Sequence, residues 1–177
     1  MWENKRYVIG PNPAGKSCIL LDKAPNTMHE PGHFNRAELW WTAEMPVDNT
    51  ITEDRSLRSK TREPVPMGVT FRALELLPDD KDTERHRRIV ENLHQTVGAK
   101  HMPTAEDYAK HPSMHRTDTL DFIVCVKGEI WLVTDTDEVL MQPGDCVIIR
   151  GVNHAWSNRS DEPCLLMGAM LDAKPWT

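Results

Sequence analysis

The chain has 177 residues, 39% of them apolar and 27% charged, with a formal net charge of −6 at pH 7. This length suits a single domain, and the composition is typical of a folded protein rather than a disordered one. The acidic balance disfavours nucleic acid, whose phosphates repel negative charge, and no segment approaches the roughly 18 apolar residues of a membrane span. We therefore expect one domain over 1–177, with neither nucleic acid nor membrane as a partner.

The start of the chain and its cysteines indicate a cellular location. Residues 1–7 lack the apolar run of a secretory signal. The four cysteines stand at positions 18, 125, 146 and 164, too far apart for a C-x-x-C pair. Buried free thiols are typical of proteins in a reducing compartment. We therefore expect free thiols and a cytoplasmic protein.

The first 78 residues are predicted to form strands and one long loop. Short apolar or alternating runs that predict strands lie at 6–9, 18–21, 39–42 and 69–77. A turn signal at 12–15 separates the first two runs. The polar, proline-rich stretch 46–67 shows little periodicity, so we expect a loop there.

Residues 79–111 differ from the rest of the chain and predict a helical insert. Apolar side chains recur at helical spacing, at Ile89, Val90, Leu93 and Val97. Gly98 is a plausible stop, and Thr104 can cap a second short helix that ends at Lys110. We expect the insert, over 82–110, to lie outside the β-structure, beside or over its mouth. Its histidines, at 86, 94 and 101, are expected to be exposed.

From residue 112 to 172 the sequence predicts dense β-structure. Strands are expected near 119–126, 129–134, 137–141, 146–150, 154–158 and 163–171. Glycine, proline and aspartate turn signals separate them. Short strands at regular spacing are typical of a β-sandwich or barrel. The chain is therefore predicted to be all-β, apart from the insert.

The chemistry is expected on two of these strands. In an extended strand His115, Thr117, Thr119 and Asp121 share one face. Polar groups on a face that enters a core need partners, or the face lines a cavity. His154 and Trp156 share a face in the same way. If the two strands are neighbours, two imidazoles and a carboxylate converge, which is a ligand set that divalent metals use.

These two stretches resemble the two sequence motifs of the cupin superfamily. His115 takes the position of the first motif's leading histidine, Asp121 that of its glutamate, and Gly128 follows after six residues. Thr117 falls where a second histidine is expected. The second motif is matched by Gly144-Asp145, then His154 and Asn158. The family's usual metal site has three histidines and one glutamate, so the ligand set of this chain is degenerate.

The resemblance implies a single-domain cupin, an all-β jelly-roll barrel with a short helical insert around 82–110. N-terminal strands and a loop (1–78) and the insert (79–111) would precede a cupin motif core at 112–172. It also implies a homodimer paired through sheet edges. One divalent ion (Zn, Fe, Mn or Ni) could be held by His115, Asp121 and His154. A metal-free pocket is the alternative, and both stay open here.

The favoured function is acid–base lyase or isomerase chemistry on a small molecule of secondary or aromatic metabolism, of the dehydratase, decarboxylase or cyclase type. A histidine with a tunable pKa beside a carboxylate can move a proton. His115, Asp121 and His154 are the predicted catalytic residues. The predicted substrate-binding residues are Thr117, Thr119, Arg150 and Trp156. The alternative is a cupin that binds a small ligand without turning it over.

Overall fold

The computed structural model of the chain describes residues 5–56 and 61–176. The elements in chain order are β1 (Arg6–Pro11), β2 (Ser17–Lys23), β3 (Asn26–Glu30), β4 (Phe34–Thr42), β5 (Val69–Leu76), α1 (Thr83–Thr96), α2 (Ala105–Lys110), β6 (Thr119–Lys127), β7 (Ile130–Thr134), β8 (Glu138–Met141), β9 (Cys146–Arg150), β10 (His154–Ser157) and β11 (Cys164–Asp172). Strands dominate, and both helices lie in the predicted insert. The prediction of an all-β fold with a short helical insert is therefore confirmed.

The strands pair antiparallel in three sheets. The largest has the order β3-β4-β5-β11-β6-β9, a second has the order β10-β7-β8, and β1 pairs with β2. Side chains from the two larger sheets share one apolar core, including Cys125 and Leu166 from one and Ile130, Leu132 and Trp156 from the other. Two sheets closed over one core form the barrel that the sequence predicts.

Helix α1 closes one part of this barrel. The Asp82 side chain accepts a hydrogen bond from the Arg85 backbone N–H and so caps the helix start. Leu93, near the end of α1, and Val97, just beyond it, join the core between the sheets. The insert is thus outside the sheets but packed onto them, as expected.

The same packing overturns the expectation that the insert's histidines are exposed. His86 is 3% exposed and His94 is fully buried. Both lie on the helix stripe that carries Val90 and Leu93, and this stripe faces the barrel. His101, beyond the helix, is half-buried and bonds Asp118 at 2.8 Å.

The four cysteines are free. Cys125 and Cys164 are fully buried, with their sulfurs 3.9 Å apart. Cys146 is exposed, contrary to the expectation for it, because it begins the edge strand β9 with its side chain outward. Within residues 5–56 and 61–176, no helix is long and apolar enough to cross a membrane.

Candidate functional site

A cavity of about 150 Å³ lies between the two larger sheets and α1. Its walls include all three predicted catalytic residues, His115, Asp121 and His154, together with Trp156. His115 precedes β6, and Thr117 and Thr119 do not line the cavity, so strand parity alone does not explain why 115 and 121 meet there. The cavity is the natural candidate for the functional site, because it is concave, buried and lined by polar groups among apolar ones.

The two histidines are held side by side by the backbone. His115 precedes β6 and forms an isolated antiparallel bridge with His154, the first residue of β10. Each backbone N–H donates to the other's carbonyl at 2.9 Å. The imidazole centroids lie 4.4 Å apart, with the rings tilted by 51°. The pairing of the two motifs therefore places both rings at one point of the cavity wall.

Hydrogen bonds fix which nitrogen of each ring is free. Nδ1 of His115 lies 2.9 Å from the Ser113 carbonyl oxygen, and Nδ1 of His154 lies 2.9 Å from the Val152 carbonyl oxygen. A carbonyl oxygen only accepts, so each Nδ1 must carry the proton and donate. Each Nε2 is then left with an available lone pair.

Burial keeps both rings neutral. Desolvation lowers the pKa of His154 to about 4. It lowers the pKa of His115 well below the usual histidine value, and the neighbouring His154 adds to this effect. At neutral pH each ring is therefore a base or a neutral ligand rather than a cation.

Asp121 is the buried carboxyl group of the cavity. It lies in β6 opposite Ile149 and Met170, and it is 3% exposed. Its Oδ1 has no hydrogen-bond partner within the part of the chain that the structure describes. Desolvation raises its pKa to about 6, although a hydrogen bond from Thr119 and the positive charge of Arg72 both lower it. Near neutral pH this group can therefore both hold and release a proton.

The fit of these residues to a metal ion is incomplete. A histidine that donates Nδ1–H to a carbonyl and leaves Nε2 free has the arrangement of a metal ligand. However, among the described residues no three side chains of the His, Cys, Asp or Glu types are close enough to hold an ion. Asp121 is six residues of chain beyond His115, and aspartate reaches less far than glutamate. The three-ligand site predicted from sequence is therefore not assembled among the residues that the structure describes.

The predicted substrate-binding residues lie in different places. Trp156 lines the cavity. The hydroxyl groups of Thr117 and Thr119 are 2.7 Å apart and hydrogen-bond each other, and neither residue is part of the cavity wall. Arg150 is exposed, because its neighbour Ile149 takes the inward position on β9, and so it does not reach the cavity as expected.

Sequence reasoning missed several polar residues of the cavity wall. They are Arg36, Arg62, Arg72, His94 and Ser113. One signal was available: Arg72 occupies the inward face of an alternating strand, where an aliphatic residue is usual. The contribution of Arg62 and His94 depends on how the loop and the insert fold back over the barrel, which strand periodicity does not report.

Part of the chain matches a known protein family. Residues 101–170 match the family described as "Cupin domain" (Cupin_2), and this stretch contains His115, Asp121 and His154. The matched stretch carries the two paired motifs, so this part of the chain is a cupin domain.

Curated relatives share the same part of the chain. Phomopsin biosynthesis cluster protein C′ of Diaporthe leptostromiformis is 42% identical over 64 residues, which are 35% of this chain and 34% of that protein. Oryzines biosynthesis cluster protein J of Aspergillus oryzae is 42% identical over 66 residues, 36% of this chain and 37% of that one. Cupin-domain-containing oxidoreductase virC of Hypocrea virens is 35% identical over 66 residues, which are 35% of this chain and 34% of that protein. The match spans about a third of the length of these relatives.

Solved cupin structures are also similar. The Cnp3 cupin domain of Schizosaccharomyces pombe has a TM-score of 0.49 at 10% identity, covering 97% of this chain and 89% of that one. A cupin 2 conserved barrel protein from Salinispora arenicola has a TM-score of 0.38 at 15% identity, covering 59% and 64%.

Proposed function

We propose that this chain is an enzyme that performs acid–base lyase or isomerase chemistry on a small organic molecule of secondary metabolism. The observation that carries the proposal is the pair of neutral imidazoles, His115 and His154, each with Nε2 free in a buried cavity. The names of the phomopsin and oryzines relatives refer to biosynthesis clusters, which supports the metabolic setting. Dehydration, decarboxylation and cyclisation all need a proton to be taken and another to be given.

The imidazole pair can supply the base. A carbon acid or hydroxyl group placed against the pair can lose a proton to one Nε2, while Nδ1–H of the same ring stays bound to its carbonyl. The second ring, 4.4 Å away, then faces an imidazolium and disfavours a second protonation. The pair therefore accepts one proton at a time.

Asp121 can supply the acid. Because its pKa is raised to about 6, a fraction of the group is protonated near neutral pH. A protonated carboxyl group can donate its proton to a departing hydroxyl group or to an enolate carbon. The proton held on the imidazole then passes to the resulting carboxylate, which restores both groups to their starting state. An acid of raised pKa beside a second group that stays unprotonated is a division of roles that other acid–base enzymes use.

A second candidate, a cupin that binds a small ligand without turnover, is favoured by one departure from the family motif. Thr117 stands where a second histidine is expected, and its hydroxyl group bonds Thr119 rather than facing the cavity. A site that has lost a ligand position can still hold a molecule.

The two candidates are separated by turnover of hydroxy-, keto- and unsaturated acids by the purified protein, followed by NMR. Product formation by the wild type, lost in His154→Ala, supports the enzyme. Saturable binding of a panel member without any product, in the presence and absence of added Zn²⁺, Fe²⁺, Mn²⁺ or Ni²⁺, contradicts it and favours the binding protein.

A further inference from the structure

One side of the cavity carries positively charged side chains. Arg36, Arg62 and Arg72 all line the cavity, whereas Asp121 is the acidic residue among its lining residues. Arg36 and Arg72 are buried at 6% and 8% exposure. Such guanidinium groups are costly to bury unless negative charge accompanies them.

Two carboxylates, Glu38 and Glu63, accompany these arginines. Glu38 forms ion pairs with both Arg36, at 3.1 Å, and Arg72, at 2.9 Å. Glu63 pairs with Lys100 at 2.7 Å. Arg62 forms no ion pair with a carboxylate among the described residues; its Nη1 instead donates to Nδ1 of His94 at 2.9 Å. Arg62 also interacts electrostatically with Glu63, and its guanidinium has more N–H donors than the one that His94 accepts.

His94 adds a buried donor at the same place. Because Nδ1 accepts from Arg62, the ring proton lies on Nε2. His94 is fully buried, lines the cavity, and its Nε2 has no hydrogen-bond partner in the described part of the chain. A buried N–H without an acceptor is unfavourable, so an acceptor supplied by a ligand would be stabilised there.

The backbone around Arg62 is fixed in place. Its N–H donates to the Val97 carbonyl at 3.1 Å. The Arg72 guanidinium donates to the carbonyl of Arg62 itself and, at 3.0 Å, to that of Thr61. Strand β5 and the end of α1 thus hold Arg62 against His94, so the site is already formed before a ligand binds.

We propose that Arg62 and His94 form a carboxylate-binding subsite, and that the natural ligand is a small carboxylic acid whose reacting carbon lies against His115 and His154. The ring centroids of His94 and His115 are 6.2 Å apart, so one small molecule can reach both. Identifying the subsite with a substrate position rests on the proposed function; the binding of a carboxylate does not.

The test uses matched neutral and anionic probes on the full chain. Binding of benzoate and benzamide, and of lactate and lactamide, is measured by calorimetry with wild type, Arg62→Gln and the control Arg88→Gln, whose side chain is exposed on α1. Wild type should prefer at least one carboxylate over its amide. Arg62→Gln should weaken that carboxylate about 10- to 100-fold, the usual effect of losing a hydrogen bond to a charged group, and leave the amide unchanged. Arg88→Gln should match wild type.

Two results overturn the proposal. The first is a wild type that binds carboxylates no better than their amides, or does not bind them at all. The second is an Arg62→Gln protein that retains the preference for the carboxylate. The wild-type comparison holds even if the variant does not fold. Carboxylate binding without turnover of any acid leaves this inference intact and contradicts the proposed enzyme. Turnover of neutral molecules by a protein that shows no preference for carboxylates would contradict this inference and leave the proposed enzyme intact.

Discussion

The backbones of His115 and His154 exchange two hydrogen bonds of 2.9 Å, and the centroids of their imidazole rings lie 4.4 Å apart. A hydrogen-bonded antiparallel pair fixes the separation and direction of its two side chains. The two cupin motifs therefore meet through main-chain geometry as well as through their side chains.

This relationship predicts that removing one ring affects chemistry more than folding. His154→Ala should abolish turnover or ligand binding, while the main-chain bridge persists and the free energy of unfolding falls by only about 1–3 kcal/mol. Thermal unfolding and binding measured on the same preparation check this. His29→Ala is the control, because His29 is exposed on β3. A His154→Ala protein that is unfolded would show that the ring is a structural residue.

The buried histidines predict a protein that is sensitive to acid. Burial lowers the pKa values of His33 and His94 to about 3 and that of His154 to about 4, while unfolding returns each to about 6.5. Stability from these groups is fully present above about pH 6.5 and is lost as the pH falls toward the folded values. The unfolding free energy of wild type should therefore drop between about pH 6.5 and 4. A flat profile over this range would contradict the neutral-imidazole assignment.

The raised pKa of Asp121 predicts a smaller change of the unfolding free energy with pH, in the opposite direction. Because burial raises its pKa to about 6, its contribution to stability is present below its unfolded pKa and is lost as the pH rises through about 6. Asp121→Asn should therefore be more stable than wild type at neutral pH, by on the order of 2–3 kcal/mol. The gain should shrink toward pH 4, and denaturant titrations at several pH values measure it. An Asn variant that is less stable at neutral pH would mean that the carboxylate is paired in the folded protein.

The buried arginine network predicts a strong effect of one substitution. Arg72 pairs with Glu38 and donates to the carbonyls of Arg62 and Thr61. Arg72→Met therefore removes one of the two ion pairs of a buried carboxylate and takes the donor from both carbonyls. We expect a loss of about 3–5 kcal/mol in the free energy of unfolding. Arg87→Met is the control: its pair with Glu84 lies on the surface, and exposed pairs contribute up to about 1 kcal/mol. Equal losses in the two variants would contradict the network.

The homodimer remains a prediction, and the β1–β2 hairpin offers a way to test it. Tyr7, Ile9 and Ile19 lie on this hairpin with more than half of their surface exposed. Ile9→Asp should convert a dimer to a monomer in light scattering at micromolar concentration, whereas Val139→Asp, at an exposed site on β8, should not. A monomeric wild type would remove the basis of this prediction.

Much of the fold could be predicted from the sequence, because its signals are local. The strands from residue 119 onward follow alternation and glycine turns, and α1 follows its apolar spacing. Strand β3 and the first half of β4 were missed. Residues 34–39 are buried on both faces yet contain Arg36 and Glu38, so alternation is absent and ion pairs replace apolar contacts.

The candidate site was predictable only in part, for a similar reason. His115, Asp121 and His154 could be placed from strand parity and the motif resemblance. Arg62 and His94 come from a loop and a helix distant in sequence, and only the packing of α1 onto the barrel brings them to the cavity. Arg150 was predicted to bind substrate, but its side chain is exposed on β9, where Ile149 is the buried residue.

The most direct test of the central claim is proton exchange catalysed by the imidazole pair. Small hydroxy- and keto-acids are incubated with the protein in deuterated water, and NMR follows deuterium at the carbon next to the carboxyl group together with any elimination or decarboxylation product. We expect exchange or product formation by wild type, reduced by about 10²- to 10⁴-fold in His154→Ala, the usual contribution of general acid–base catalysis. Equal rates in the two proteins would contradict a catalytic role for the His115–His154 pair.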